Sequence, residues 1–307
     1  MGVERMTKAR KIVVVVNPIA GGREDRKKVA EMAEARFRAR GDDVTVSFTG
    51  KRGDATEFGR QAVESAADFV VAIGGDGTIN EVATALVGSE TALAVVPRGS
   101  GNGFARSLAI PHSVDAACAL VEDVNVRRID VGKLNERLFF LIAGVGFDAM
   151  VGKRFDEHHK RGPLPYFYLG VREFFRYEPQ RVRLVLDGRS LDITPFIIAV
   201  ANGQQYGNNA KIAPHAKLND GMFDICVVYP PTVRQLLSVF PKLFRGRMHE
   251  FKQAEFFKTD SLLIERENAD YVNIDGESVP ESATLKISIL PHSLRVVASP
   301  KSPCIVS

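Results

Sequence analysis

One stretch limits the possible folds more than any other: Phe69-Val-Val-Ala-Ile-Gly-Gly-Asp-Gly-Thr-Ile-Asn-Glu-Val82. Its apolar opening, Phe69 to Ile73, has the length and β-branched content of a buried strand. Gly74, Gly75, Asp76 and Gly77 then form a sharp turn, and Thr78-Ile-Asn-Glu opens a helix. A strand, a glycine turn and a helix N-terminus make an anion site, because backbone N–H groups can approach phosphate oxygens and the helix dipole favours negative charge. Thr78 and Glu81 also fit a capping box. Capping accounts for neither Asp76 nor the glycines.

The flanking pattern repeats the strand–helix alternation. Lys11 to Val16 reads as a first buried strand ending in Asn17-Pro18, followed by a helix over Arg23 to Arg40 with apolar Val29, Met32, Ala33 and Phe37. Asp43 to Thr49 alternates as a second strand, Asp54 to Ser65 is a helix, and Thr91 to Val96 is a fourth strand after the Phe69 one. Pro97-Arg-Gly-Ser-Gly-Asn-Gly is a second glycine loop, leading into Phe104 to Leu108 and a helix over Ser113 to Glu122. Alternation of this kind predicts a parallel sheet covered on both faces.

Beyond residue 125 the pattern changes. Strand-like runs cover Val126–Leu134, Leu138–Ala143, Arg181–Leu186, Pro195–Ala201, Met222–Tyr229, Glu255–Glu265, Tyr271–Ile274 and Leu285–Leu290, with hairpin glycines at Gly188 and Gly276. This predicts an antiparallel sandwich or barrel. Leu294 to Ala298 is one more short strand that the pattern does not place. Two segments interrupt the strands. Val151 to Glu178 mixes basic and aromatic residues, a composition that suits packing. Thr232 to His249 carries Val233, Leu236, Leu237, Phe240, Leu243 and Phe244 on one helical face, and its charges Arg234, Lys242, Arg245 and Arg247 are positive. Such a helix either packs on the sandwich with a solvated face or lies on an anionic bilayer.

With 307 residues, 45% apolar and 25% charged, the chain suits a globular protein of about two domains. A formal charge of +4 does not argue for a nucleic-acid partner. Cys118, Cys226 and Cys304 show no zinc or redox spacing, which points to a reduced, cytoplasmic compartment. Ile12 to Val16 is too short for a signal or a membrane span.

The chain has no Walker A sequence, and Gly75-x-Gly77-x-x-Asn80 is only a partial dinucleotide fingerprint. Asp76 decides the chemistry. A carboxylate inside a phosphate-binding turn repels phosphates unless a cation intervenes, and Mg²⁺ takes one or two carboxylates together with phosphate oxygens and waters. The turn therefore predicts a nucleoside triphosphate and phosphoryl transfer.

Taken in order, Asn17-Pro-Ile-Ala-Gly, Gly74-Gly-Asp-Gly-Thr-Ile-Asn-Glu, Pro97-Arg-Gly-Ser-Gly-Asn-Gly, Asp130-Val-Gly-Lys, Gly144-Val-Gly-Phe-Asp, Asn202-Gly-Gln-Gln-Tyr-Gly-Asn-Asn, Lys211 to Asp224 and Ile274-Asp-Gly-Glu make the chain resemble the diacylglycerol kinase catalytic domain family. The likeness is to the bacterial soluble lipid kinases related to diacylglycerol and sphingosine kinases. It implies an α/β N-terminal domain with a parallel sheet like that of NAD kinase and phosphofructokinase (residues 8–125, rejoined by 291–303), and a C-terminal antiparallel β-sandwich domain for the lipid (126–290). It further implies that Asn17, Pro18, Ile19, Ala20, Gly21, Thr49, Gly75, Asp76, Gly77, Thr78, Ile79, Asn80, Glu81 and Ser100 line an ATP site. Glu277 would be the general base on the lipid hydroxyl, and Asp76 would serve catalysis through Mg²⁺. A structural Mg²⁺ would sit on the Asp220 carboxylate and the main-chain oxygens of Lys217 and Met222, with Asp130 joining the catalytic metal through water or else capping a strand end. Many family members carry Asp where this chain has Gly103. The resemblance thus implies transfer of the ATP γ-phosphate to a membrane-lipid hydroxyl, foremost that of diacylglycerol, with the lipid head entering between the domains. The enzyme would work from the cytosol in transient contact with the inner membrane face; the reading allows a homodimer and excludes nucleic acid. An NAD kinase-like enzyme and a catalytically weak lipid- or nucleotide-binding regulator are the rivals. Sphingoid bases, phosphatidylglycerol and monoacylglycerol stay open as acceptors.

Overall fold

A computed structural model of the chain describes residues 9–19, 26–156 and 172–306, with the side chains of Phe155 and Asp156 left aside. It divides into two compact units: residues 1–128 with 293–302, and residues 129–292 with 303–307.

In the first unit, β1 (Lys11–Val16), α1 (Arg26–Ala39), β2 (Asp43–Phe48), α2 (Asp54–Glu64), β3 (Phe69–Gly74), α3 (Asp76–Leu86), β4 (Ala92–Pro97), α4 (Gly103–Ser107) and α5 (Val114–Glu122) follow in order. The strands pair in parallel in the order β2-β1-β3-β4, and Val296 adds a parallel pairing to Leu93 of β4. Every residue of β3 and β4 is buried, as the continuous apolar runs require of a sheet covered on both faces. Ile79, Val82, Ala83 and Leu86 form the buried side of α3, at helical spacing.

In the second unit, one six-stranded antiparallel sheet joins β7 (Ile142–Gly146), β10 (Ile197–Ala201), β11 (Phe223–Val228), β12 (Ala254–Thr259), β14 (Asp270–Ile274) and β15 (Glu277–Glu281) in the order β12-β11-β10-β7-β14-β15. Facing it are β5 (Val126–Leu134), β6 (Arg137–Phe139), β8 (Val182–Leu186), β9 (Arg189–Ile193), β13 (Ser261–Arg266) and the first part of β16 (Thr284–Val297). Phe139, Leu184, Ile264 and Ile287 from this side meet Ile198, Phe223, Ile225 and Val272 from the other in one core, and the Phe139 and Phe223 rings stack at 5.5 Å. This is the sandwich that the period-2 runs predict. Helix α6 (Phe147–Asp156) follows β7. Phe147 stacks on Phe196 at 4.4 Å, with Phe174 and Tyr177 edge-on around the pair, so these aromatics of the mixed segment pack in this unit. Lys160, Arg161 and Tyr166 to Tyr168 lie outside the described residues.

Three sequence expectations change. Glu255–Glu265 is two strands, β12 and β13, in different sheets. Leu138–Ala143 divides into β6 and β7. Leu285–Leu290 and Leu294–Ala298 are instead one strand, bent at His292, where φ is +50°.

Candidate active site

The glycine turn after β3 is itself the first turn of a helix. Helix α3 begins at Asp76, two residues earlier than expected, with Gly75 in extended conformation at its cap and no side-chain cap bond. The capping box is therefore corrected: Thr78 and Glu81 bind elsewhere. The Asn17 Nδ2 donates to Thr78 Oγ1 at 3.0 Å, and Asn17 Oδ1 accepts from the Ile19 amide at 3.0 Å. That pair fastens the end of β1 to the first turn of α3. The Glu81 carboxylate accepts from the Gly53 amide at 3.0 Å, and its carbonyl from the Thr56 hydroxyl at 3.1 Å, tying α3 to the start of α2. Around the exposed Gly77, the first amides of α3 have no intrahelical acceptor, as at any helix N-terminus.

The second glycine loop packs directly on the first. A Cβ on Gly99 would come 2.6 Å from the Gly75 Cα, so the two backbones meet where no side chain fits. Arg98 donates its amide to the Gly74 carbonyl at 2.7 Å. Asn102, in left-handed conformation, closes the loop by a double bond pattern with Gly99: its Nδ2 donates to the carbonyl and its Oδ1 accepts from the amide, both at 2.8 Å. Asp76 faces this loop, its Oδ1 accepting from the Phe104 amide at 3.4 Å. Burial raises the Asp76 pKa above the usual carboxylate range, against the amides of Phe104, Asn102 and Gly103, which lower it. The charge on this carboxylate is thus incompletely compensated. One such oxygen donor, with the remainder supplied by phosphates and water, is what Mg²⁺ requires, so the residues fit the ion.

Other members of the expected ATP site are more peripheral. Ile79 is fully buried and its amide donates to the Gly75 carbonyl, so it belongs to the core. Thr49 donates its amide to the Val16 carbonyl at 2.9 Å, with its hydroxyl directed to the same oxygen at 3.4 Å. Pro18, Ile19 and Ser100 are exposed, and Asn80 is half-buried. Ala20 and Gly21 lie outside the described residues.

In the second unit, Glu277 is the exposed first residue of β15, just after the Asp275-Gly276 turn. Both turn residues have positive φ, 49° and 93°, the requirement of a tight two-residue hairpin. Asp275 anchors that turn: its carboxylate accepts from the amides of Phe140, Leu141 and Ile142 at 2.7, 2.8 and 2.9 Å. The anchoring role was legible only as the aspartate of an ordinary turn.

Of the two readings of Asp130, its hydrogen bonds match the one at a strand end. Its fully buried carboxylate accepts from the amides of Gly221 at 2.8 Å and His292 at 2.7 Å, which fixes the bend in β16. The Asp220 carboxylate accepts from Lys258 Nζ at 2.8 Å and from the Met222 amide at 3.2 Å, while the Lys217 ammonium donates to the Pro303 carbonyl. The one ammonium of Lys258 is shared between Asp220 and, at 3.6 Å, Asp224, so this pair of carboxylates keeps a net negative charge. Lys258 lies 38 positions from Asp220 and gave no sequence signal. Sequence reasoning gave no role of its own to Asp148, the last residue of the Gly144 motif, a buried carboxylate that accepts from the Tyr206 hydroxyl at 3.1 Å and the Ala149 amide at 2.8 Å.

Residues 11–134 match the model of the diacylglycerol kinase catalytic domain, and residues 142–298 match that of the YegS C-terminal NAD kinase beta sandwich-like domain. A diacylglycerol kinase of Mycobacterium tuberculosis is 30% identical over 94% of both chains. The Pseudomonas aeruginosa protein named "Probable lipid kinase YegS-like" is 31% identical over 97% of both. The crystal structure of a diacylglycerol kinase from Bacillus anthracis superposes with a TM-score of 0.79 at 27% identity, covering 96% of this chain and 99% of that one. Matched in both halves and in order, the chain belongs to the diacylglycerol kinase catalytic domain family of ATP-dependent lipid kinases.

Proposed function

We propose that this kinase transfers the ATP γ-phosphate to a hydroxyl of a membrane lipid, with diacylglycerol as acceptor and phosphatidate as product. The observation that carries the donor half is the joining of two glycine loops around one helix N-terminus: Asn17 holds Thr78, Gly75 abuts Gly99, and Asp76 stands between them with its charge poorly compensated. The exposed amides at Gly77 take phosphate oxygens, and Asn17, Pro18, Ile19, Ala20, Gly21, Thr49, Thr78, Asn80, Glu81 and Ser100 border the nucleotide. Asp76 holds Mg²⁺, which when bound neutralises charge on the transferring phosphate.

Glu277 takes the proton of the acceptor hydroxyl. Its place beside a turn fixed by three amides gives a carboxylate held in position, worth about 10²–10⁴-fold in rate. The acceptor assignment rests on relatives named diacylglycerol kinase. The domain boundaries proposed are 8–125 with 291–303, and 126–290. The enzyme works from the cytosol at the inner membrane face.

Glu277→Gln keeps the shape and removes the charge, so it is expected to fold, to bind ATP as the parent does, and to lose at least about 10²-fold in turnover. Parent-like turnover would remove Glu277 from the mechanism. Labelled ATP offered with a lipid panel and with NAD⁺ tests the acceptor: label in phosphatidate supports the reading, and label in NADP⁺ alone overturns it. ATP binding without turnover on any lipid would favour a regulator, the reading that Gly103 suggests.

A further inference from the structure

We infer that the Val233–Phe244 helix is the surface by which this protein docks on anionic bilayers. It deepens the proposed function by naming the contact face, yet it stands on observations of its own. The helix is well terminated: Thr232 caps the Gln235 amide, and Gln235 Oε1 accepts from the Thr232 amide at 2.7 Å in return. Yet none of its twelve residues is buried. Leu236, Val239, Phe240 and Leu243 are half-buried on its inner side. Val233, Leu237 and Phe244 are 51%, 71% and 51% exposed. At about 100° per residue these three fall within roughly 40° of arc, a single stripe along the helix. Scattered exposed apolar residues need no explanation, but an aligned stripe beside Phe240 is a patch that seeks a partner.

The charge around the stripe selects the partner. From Thr232 to Met248 there is no acidic residue. Arg234 and Arg245 are exposed and lie at roughly 100–120° from Val233, along one flank of the stripe. Lys242 and Arg247 are engaged by Glu250, at 3.5 and 2.6 Å, which leaves Arg234 and Arg245 without an ion pair among the described residues. An apolar stripe bordered by arginine matches the two layers of a membrane interface, with acyl chains below and anionic head groups at its edge. No described helix is long and apolar enough to cross a membrane, so the contact is a lateral one.

The test is co-sedimentation of the full chain, without ATP, on vesicles of phosphatidylcholine mixed with phosphatidylglycerol and on vesicles of phosphatidylcholine alone. The parent is expected to bind the mixed vesicles more tightly, and added salt to weaken that binding. Leu237→Glu with Phe244→Glu should lower binding at least about tenfold, with an unchanged melting temperature because both side chains are exposed. Arg234→Gln and Arg245→Gln should each cost about fivefold on the mixed vesicles and little on the neutral ones. Parent-like binding by the glutamate variant overturns the inference. So does a parent that is dimeric by light scattering while the variant is monomeric, since a second copy would then cover the stripe. Turnover on a short-chain, dispersed diacylglycerol separates this from the kinase reading. A variant that keeps that activity but loses activity on vesicles supports docking, whereas a parent inactive on every acceptor refutes the kinase proposal and leaves the vesicle result intact.

Discussion

At Asp148 a carboxylate is buried in the first turn of α6, and a Cβ on Gly144 would come within 1.8 Å of its Oδ2. Burial pushes its pKa up to about 6, despite hydrogen bonds from Tyr206 and Ala149 that lower it. The folded chain therefore holds this proton more tightly than the unfolded chain. Its contribution to stability is complete below the unfolded carboxylate value and is lost as pH rises through about 6. A shift of about two pKa units corresponds to about 3 kcal/mol. Asp148→Asn removes the titration, so its stability relative to the parent should rise by that order between about pH 4 and about pH 7. Denaturant unfolding across that range checks it; parallel curves for the two proteins would refute it. Single residues were the level at which the sequence was least legible. Asp130, Asp220 and Asp275 all read as possible metal or turn aspartates, and their separate fates depend on the amides and the lysine that the fold brings to each. Those partners are up to 162 positions away in the chain.

At the scale of elements, β3 was legible because a run of Phe, Val and Ile bounded by glycines is a local signal. The start of α3 was not, because a helix whose first turn is Asp-Gly lacks the usual capping residue. The strand boundary at Asp260 was passed over, although Lys258-Thr-Asp-Ser261 interrupts the apolar residues between Phe257 and Leu262; the pairing of β12 and β13 to different sheets makes that polar run a connection between two strands. The close approach of the glycine loops belongs to this scale. Gly99→Ala would place a methyl group 2.6 Å from the Gly75 Cα, where only backbone can yield. It should cost about 1–3 kcal/mol, as overpacking does, and weaken ATP binding while leaving the sandwich core intact. A thermal melt and an ATP titration test this. Parent-like ATP affinity would show that the spacing of the two loops does not shape the nucleotide site.

Over the whole molecule, the chain crosses from its first unit to its second and then sends its last residues to both. Ser293–Ser302 belong to the first unit and Pro303–Ser307 to the second. Cys304 is fully buried, its carbonyl accepts from the Leu218 amide at 2.7 Å, and Asn219 pairs with the Val306 backbone in both directions, at 2.7 and 3.0 Å. Deleting Pro303–Ser307 should therefore cost about 2–4 kcal/mol, through a vacated core position and unpaired loop groups. Hydrogen exchange should accelerate at Leu218 ahead of the β3 amides, and unchanged protection there would refute the role. The sequence by itself determined the α/β order of the first half, the strand-rich second half and the glycine-aspartate turn. All are local patterns of period, glycine and charge, and the ordered motifs extend them to the family. Tertiary structure alone decided that Lys258 answers Asp220, that Asp130 holds a bend, and that one face of the Val233–Phe244 helix stays uncovered. Each of these depends on which distant groups meet in space, and neither residue type nor spacing encodes such a meeting.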